Sequence, residues 1–210
     1  MSNPALEQLL QHPALFRAGR ISDAANRTGI PTGYPRLDRQ LPWSGWPPDK
    51  LIELIPGPGT SSELTLVMPA LAASSQAGRA VVLTDPPHRP YAPGLAQHGV
   101  RLAQLVVVHA HTERDRLWTA EQCLRSGACG AVLVWERDTL EGRSLRRLQL
   151  AAEDGACPAF LFRHRLAARR PSPAALRLIL THRAKQLQVT VLKGQGAAGA
   201  TFEFGPDTGV

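Results

Sequence analysis

Short apolar runs alternate with segments of helical periodicity along most of this chain. The helical segments are Leu64 to Ala73, which is mostly apolar, and two stretches with apolar residues three and four positions apart, 117–124 and 145–152. An alternation of this kind is typical of an α/β domain, in which helices cover both faces of a mostly parallel sheet. The runs that predict its buried strands are 51–55, 80–83, 105–108, 131–135 and 159–162.

The pattern changes towards the carboxyl terminus. Residues 176–180 and 187–192 alternate apolar with polar side chains, which predicts an antiparallel pair of strands at one edge of the sheet. The last residues are rich in Gly and Ala at their start and predict a loose tail, apart from a short strand at Thr201 to Phe204. We therefore predict an N-terminal arm at 1–28, one domain at 29–193 and a tail at 194–210.

The arm before the domain carries five large apolar side chains. A short helix with few packing partners is marginal on its own, so its apolar face must dock on another surface. Two surfaces remain open, the chain's own core and a neighbouring molecule, and the second would make the arm a partner-binding element. The apolar residues are Leu6, Leu9, Leu10, Leu15 and Phe16.

The composition is that of a folded protein with one substantial core. With 210 residues, of which 43% are hydrophobic, the chain can bury a sizeable apolar interior. No apolar run approaches the ~20 residues that cross a bilayer, and the amino terminus has no leader pattern, so we expect a cytoplasmic protein. Cys123, Cys129 and Cys157 have no C-x-x-C spacing, so we expect small core residues rather than disulfides or a zinc site.

Positive charge is concentrated in the segment before the tail. Residues 137–193 hold 12 Lys and Arg against 4 Asp and Glu, whereas the whole chain has a net charge of +7. A basic face is typical of nucleic-acid binding, but this segment has few aromatic residues for base stacking. Three interpretations stay open: a site for single-stranded DNA, a site for an acidic protein partner, and a solvated face. The residues expected to form this basic surface are Arg163, Arg165, Arg169, Arg170, Arg183 and Lys185.

A Gly-rich turn follows the first predicted strand, where a G-x-x-x-x-G-K-[ST] phosphate-binding loop would lie. In a working loop, backbone amides and a helix N-terminus hold the phosphates, a Lys reaches them and a hydroxyl binds magnesium. Here the turn starts at Gly57, but Ser62, Glu63 and Leu64 take the places of the second Gly, the Lys and the hydroxyl residue. Because a carboxylate repels phosphate, the pattern indicates a degenerate P-loop.

The segments around this turn resemble the core of the RecA family. The similarity lies in the chain before the first strand, in that strand, and in the second strand with the helix after it. The resemblance implies a RecA-like fold. The matching segments are 31–38, 43–54, 79–88 and 91–100.

Two further positions depart from an active member of that family. The resemblance places Pro87 where the family has the Glu that activates the attacking water, and the strand 131–134 is not closed by the magnesium-orienting Asp. Glu136 comes one position late, and a shift of one residue turns a side chain to the opposite face of a strand. We therefore expect a pseudo-ATPase that is not an enzyme, with no catalytic residue, cofactor or metal.

Three segments resemble the ImuA family more specifically, namely 86–93, 124–133 and 145–153. Together with the RecA-like parts, the resemblance spans roughly residues 29 to 165. It implies a RecA-related, SulA-like accessory protein of SOS-induced translesion DNA synthesis. As partners it implies RecA, the polymerase-like ImuB and, through the complex, an error-prone replicative polymerase.

Two other functions remain as alternatives. A SulA-like inhibitor of cell division would bind FtsZ, but the positive charge of residues 137–193 and the ImuA-like segments disfavour this function. An active recombinase-type ATPase is disfavoured because Glu63 replaces the Lys. The sequence leaves open whether the chain self-associates and whether it binds single-stranded DNA directly.

Overall fold

Eight strands form one sheet in the computed structural model of the chain, which describes residues 28–57, 63–137, 139–183, 186–194 and 197–204. For Glu63, Arg183 and Phe204 only the backbone is described. The strands are β1 (Leu51–Pro56), β2 (Ala80–Thr84), β3 (Leu105–Val108), β4 (Cys129–Trp135), β5 (Ala159–Phe162), β6 (Leu176–Arg183), β7 (Gln186–Lys193) and β8 (Thr201–Phe204).

From one edge to the other, the strands lie in the order β3-β2-β4-β5-β1-β6-β7-β8. Neighbours from β3 to β6 pair parallel, whereas β7 pairs antiparallel with both β6 and β8. This confirms the predicted mostly parallel sheet with an antiparallel pair at one edge. β8 is the short strand expected within the tail, so the sheet extends past residue 193.

Helices cover both faces of this sheet, as predicted. The helices in the described residues are α1 (Pro35–Asp38), α2 (Glu63–Gln76), α3 (Ala92–Gln97), α4 (Glu113–Arg125) and α5 (Gly142–Asp154). One apolar layer contains α2, α3 and the buried Trp46, and the other contains α4 and α5 side by side. Two short 3₁₀ helices, Leu102–Gln104 and Arg165–Arg169, lie in the connections.

β1 lies inside the sheet and is buried on both faces. Ile52 and Leu54 point into the layer of α2, and Leu51 points into the layer of α4 and α5. This follows from the alternation of side chains along a strand, and it explains why β1 appears in the sequence as a nearly continuous apolar run. The exception in that run is Glu53, which is also buried.

The predicted N-terminal arm lies outside the described residues, except for Thr28. Docking through Leu6, Leu9, Leu10, Leu15 and Phe16 therefore stays a prediction. Among the helices that the structure describes, none is both long and apolar enough to span a membrane.

Candidate functional site at the carboxyl edge of the sheet

The carboxyl ends of the parallel strands meet at one edge of the sheet, which is where open α/β sheets bind ligands. Gly57 follows β1 at this edge, and its N–H donates to a backbone carbonyl of β6 over 2.6 Å. A Cβ on Gly57 would lie 2.3 Å from Cγ2 of Thr181, so only glycine fits there. Leu64, at the start of α2, packs against the core. Ser62 and the side chain of Glu63 lie outside the described part of the chain, so their roles stay predictions.

A buried ion network joins the strands that end here. Glu53 of β1 is 0% exposed, and its carboxylate accepts hydrogen bonds from Arg163 Nη1 at 2.9 Å and Arg177 Nε at 2.6 Å. Arg163 follows β5 and also donates twice, over 2.7 and 3.2 Å, to Glu136, which follows β4. Two carboxylates and two guanidiniums thus balance in charge. Because a buried charge without a partner costs free energy, each carboxylate and guanidinium is held against its neighbour of opposite charge.

The carboxylate of Glu136 accepts hydrogen bonds from several groups. Its carboxylate accepts backbone N–H groups of Leu140 and His164 at 3.0 and 2.9 Å, in addition to the Arg163 guanidinium. Burial opposes its charge, but these hydrogen bonds outweigh burial and hold the pKa of the Glu136 carboxyl below its ordinary value. Burial likewise opposes the charge of Arg163, and its contacts with Glu136 and Glu53 outweigh this and raise the pKa of the guanidinium. Both groups therefore stay ionised near neutral pH.

A second ion cluster forms where β2 ends. Asp85 has a φ of 55°, in the left-handed region that Asp tolerates better than most residues. Its carboxylate accepts Nη1 of Arg116, a buried residue of α4, at 3.3 Å. The exposed Arg137 contacts both carboxylate oxygens at 3.0 Å. Pro87 lies exposed two residues further along.

Arginine side chains pair with the carboxylates at this edge. Asp85 and Glu136, which follow β2 and β4, both accept hydrogen bonds from arginine. The guanidiniums neutralise the charge of both carboxylates. Within the ranges that the structure describes, no group of three or more His, Cys, Asp and Glu side chains is arranged to hold a metal ion.

The prediction of a basic surface was wrong for Arg163. This side chain is 3% exposed and lies between Glu53 and Glu136 instead of facing solvent. The physical reason is that two buried carboxylates require a cation between them, and the guanidinium can donate to both.

Three of the predicted basic residues do lie together at the surface. Arg165 and Arg169 are exposed on the 3₁₀ helix Arg165–Arg169, and Arg170 is exposed directly after it. These arginines belong to a basic segment, Arg165 to Arg170, that begins three residues after β5, at the same edge as the ion networks. Of Arg183 only the backbone in β6 is described, and Lys185 lies outside the described residues, so their surface roles stay predictions.

Sequence reasoning missed the buried arginines Arg116 and Arg177. One signal was available, because Glu53 interrupts a run that is otherwise apolar, and a buried carboxylate requires a hydrogen-bonded cation. That signal predicts a partner without identifying it, since Arg163 and Arg177 are 110 and 124 positions away along the chain.

Large apolar side chains are exposed on or beside α3, α4 and α5. Tyr91, at the start of α3, is 73% exposed, and Trp118 on α4 is 58% exposed. Leu150 is exposed on α5 beside α4. Tyr91 and Leu150 belong to segments that carry the ImuA resemblance. Exposed aromatic side chains are enriched where proteins bind partners.

The chain is similar in sequence to curated RecA proteins. RecA from Treponema denticola is 30% identical over 132 residues, which cover 61% of this chain and 31% of that protein. RecA from Bacillus subtilis is 30% identical over 135 residues, covering 64% of this chain and 38% of that protein. RecA from Porphyromonas gingivalis is 32% identical over 137 residues, covering 64% and 39%. The chain thus spans well under half of the length of the curated relatives it matches.

No family model matches the chain. Among solved structures, SulA from Pseudomonas aeruginosa has a TM-score of 0.47 and 24% sequence identity, over 54% of this chain and 97% of SulA. The α/β sheet described above is the architecture expected from the RecA resemblance, and the sequence similarity to RecA supports the same relationship. The chain is thus similar to RecA over part of its length, and its mostly parallel α/β sheet is consistent with a RecA-like core.

Proposed function

We propose that the chain is a non-catalytic RecA-like adaptor in SOS-induced translesion DNA synthesis. In this role it binds RecA and the polymerase-like ImuB and, through the complex, an error-prone replicative polymerase. It works without a cofactor and does not hydrolyse ATP.

One observation carries the non-catalytic part of this proposal, namely that arginines bind the acidic residues at the carboxyl edge. An ATPase of this kind needs a carboxylate that supports magnesium and a group that positions the attacking water. Here Glu136 accepts two hydrogen bonds from Arg163, and Pro87, which the resemblance places where the family has its water-activating Glu, has no side-chain group that can position a water. Leu64 in place of a magnesium-binding hydroxyl supports the same conclusion.

The adaptor part rests on the surfaces around this edge and on the ImuA resemblance. Three arginines of the basic segment, Arg165, Arg169 and Arg170, are exposed at the edge itself. Tyr91 and Trp118 add exposed aromatic area, which is the kind of surface that binds protein partners. These features supply contact surface without supplying catalytic groups.

Affinity capture of the tagged full-length chain tests this function. The chain is isolated from cells with and without DNA damage, and co-purifying proteins are quantified by mass spectrometry against an untagged control. The proposal predicts that RecA and ImuB are enriched after damage. Enrichment of FtsZ without RecA or ImuB would contradict it and support an inhibitor of cell division instead.

A further inference from the structure

An exposed tryptophan lies among arginines on the outer face of α4 and α5. The exposed residues that form this outer face are Arg114, Trp118, Arg143, Arg146, Arg147 and Leu150. Trp118 is 58% exposed, whereas Trp43, Trp46 and Trp135 are 7%, 0% and 9% exposed. Leu150 is 37% exposed. Large apolar side chains gain free energy when a partner removes them from water, and aromatic residues are enriched where proteins bind partners.

Two ion pairs fix how α4 and α5 lie against each other. Arg147 Nη2 of α5 donates to Glu121 Oε2 of α4 over 2.9 Å. Arg125 Nε of α4 donates to Asp154 Oδ2 of α5 over 3.2 Å. The second contact lies further along both helices than the first, so the two helices run in the same direction.

The two apolar side chains lie on opposite sides of the first of these contacts. Trp118 is three residues before Glu121, and Leu150 is three residues after Arg147. Because each residue of a helix adds about 1.5 Å, the two side chains are about 9 Å apart along the helix axes. Residues i and i+7 of a helix are about 10.5 Å apart, so this spacing suits two apolar side chains on one face of a third helix.

The charge around these two side chains is positive. The exposed positions in the two turns of α5 before Leu150 are all arginines, namely Arg143, Arg146 and Arg147, and Arg114 is exposed one turn before Trp118. Among the residues that the structure describes, no carboxylate forms an ion pair with Arg114, Arg143 or Arg146.

The carboxylates on the same helices already have partners. Glu121 and Asp154 pair with arginines as described above, and Glu153 Oε1 lies 3.2 Å from Lys50 Nζ. The N-terminal arm does not supply the missing negative charge, since residues 1–27 hold 3 Arg against 2 Asp and Glu. Charge complementarity therefore favours an acidic partner for this surface.

We propose that the outer face of α4 and α5 binds an acidic amphipathic helix of a partner protein. Apolar side chains of that helix cover Trp118 and Leu150, and carboxylates beside them pair with Arg114, Arg143 and Arg146. A helix is favoured over single-stranded nucleic acid, because a single tryptophan beside an aliphatic Leu150 offers no series of rings for successive bases. The surface would serve the proposed adaptor role, yet it does not require RecA or ImuB to supply the helix.

Tryptophan fluorescence of the full-length chain provides the test, because Trp118 is the exposed one of its four tryptophans. The probe is a synthetic peptide of three heptads, with Leu at the first and fourth positions and Glu and Ala elsewhere. We expect saturable shielding of Trp118 from quenching by acrylamide, and weaker binding as salt is added. Arg143→Glu together with Arg146→Glu should weaken binding at least about tenfold, because like charges then face each other.

Three controls accompany this titration. A peptide with Lys in place of Glu and a peptide of the same composition in shuffled order should leave the quenching unchanged. Arg165→Glu together with Arg169→Glu makes the same charge change at the carboxyl edge and should keep the affinity within about twofold, because distant sites act independently. The result for the unaltered chain does not depend on whether the variants fold.

The proposal is overturned if the acidic peptide gives no shielding up to about 1 mM, if the Lys peptide binds equally, or if both arginine variants lose affinity equally. Shielding by an oligonucleotide in place of the peptide would make this face a nucleic-acid site. Shielding in the free chain at every concentration would assign it to the N-terminal arm, and shielding that grows with chain concentration would assign it to a second copy. Loss of RecA and ImuB binding with peptide binding intact would contradict the proposed function alone.

Discussion

At the scale of single residues, arginine side chains pair with the carboxylates at the carboxyl edge of the sheet. Arg163 has a side chain that is 1% exposed and lies between the carboxylates of Glu53 and Glu136. Removing one partner of such a buried pair leaves a charge without compensation, which costs about 3 to 5 kcal/mol. Glu53 and Glu136 therefore contribute to the stability of this fold through Arg163.

Replacing Glu136 by Gln tests this network. The free energy of unfolding near pH 7 should fall by about 3 kcal/mol, because Arg163 loses a buried anion. The pH dependence should change as well. Since the folded pKa of Glu136 is lower than the ~4.3 of an unfolded Glu, its contribution is complete above about pH 5 and is lost as pH falls through the folded pKa. The Gln variant should not show this decrease in the free energy of unfolding at acidic pH, because Gln does not titrate.

Urea titrations between about pH 7 and about pH 3 measure both effects. The matched control is Glu141→Gln, since Glu141 is exposed, and it should stay within about 0.5 kcal/mol of the original chain. Equal losses in the two variants would show that Glu136 has no special role.

A second residue-scale prediction concerns nucleotide binding. Glu63 in place of Lys repels phosphate, and Leu64 offers no hydroxyl to magnesium, so calorimetric titration with Mg-ATP should give no saturable heat. RecA in the same buffer serves as the positive control. A dissociation constant below about 100 µM, which corresponds to about −5.5 kcal/mol, would count against the proposed loss of nucleotide binding.

At the scale of elements, the segment after β5 is held in place rather than simply following the strand. Arg177 Nη2 donates to the Ala167 carbonyl of the 3₁₀ helix over 2.7 Å, while its Nε binds Glu53. This fixes the helix against β6 and presents the neighbouring Arg165 and Arg169 to solvent. The buried ion network thus positions the exposed basic segment.

Changing Arg165, Arg169 and Arg170 together to Glu tests whether this segment binds single-stranded DNA. Phosphate contacts release counterions, so wild-type affinity should fall with salt at a log-log slope of about −0.7 per contact. The triple change should weaken binding and flatten that slope. Fluorescence anisotropy with an oligonucleotide measures both quantities.

The matched control for this experiment is a triple change of equal charge at the exposed Arg36 of α1 and Arg143 and Arg146 of α5. It should retain more of the salt dependence than the change at the edge. If the wild-type chain shows no DNA binding even at low salt, the segment serves a protein partner. If partner binding and damage-induced mutagenesis also survive the change, the segment is a solvated face.

The N-terminal arm is the other element whose role is testable. Deleting residues 1–20 should abolish association with RecA or with a second copy of the chain, because the apolar side chains that would dock are removed. Light scattering and binding assays measure the association, and circular dichroism reports whether the rest stays folded. A truncated chain that unfolds would show that the arm packs on its own core.

The sheet could be predicted because each strand is a local pattern. β1 and β4 are apolar runs of the length of a strand. In β6 and β7 apolar and polar residues alternate, as in strands with one buried face, so residues that are neighbours in sequence are enough to predict each strand. The site could be predicted only in part. The partners of Glu53 depend on which strands become neighbours, and the burial of Arg163 follows from that pairing rather than from its sequence surroundings.

At the scale of the whole molecule, the RecA-like core has buried ion pairs at its carboxyl edge and exposes other charged and aromatic side chains. The carboxyl edge is filled by ion pairs, whereas positive charge and exposed aromatic side chains remain outside. The net charge of +7 comes from residues 137–193, which favours an acidic partner or nucleic acid over a basic one. The adaptor role that we propose requires such exposed surfaces.

Binding of purified proteins tests this account most directly. The full-length chain is immobilised and titrated separately with RecA, ImuB and FtsZ, in the absence of nucleotide. We predict saturable binding of RecA and ImuB with dissociation constants of about 1 µM or tighter, about −8 kcal/mol, and no saturable binding of FtsZ. Binding of FtsZ alone, or no binding of RecA and ImuB up to about 100 µM, would contradict the account.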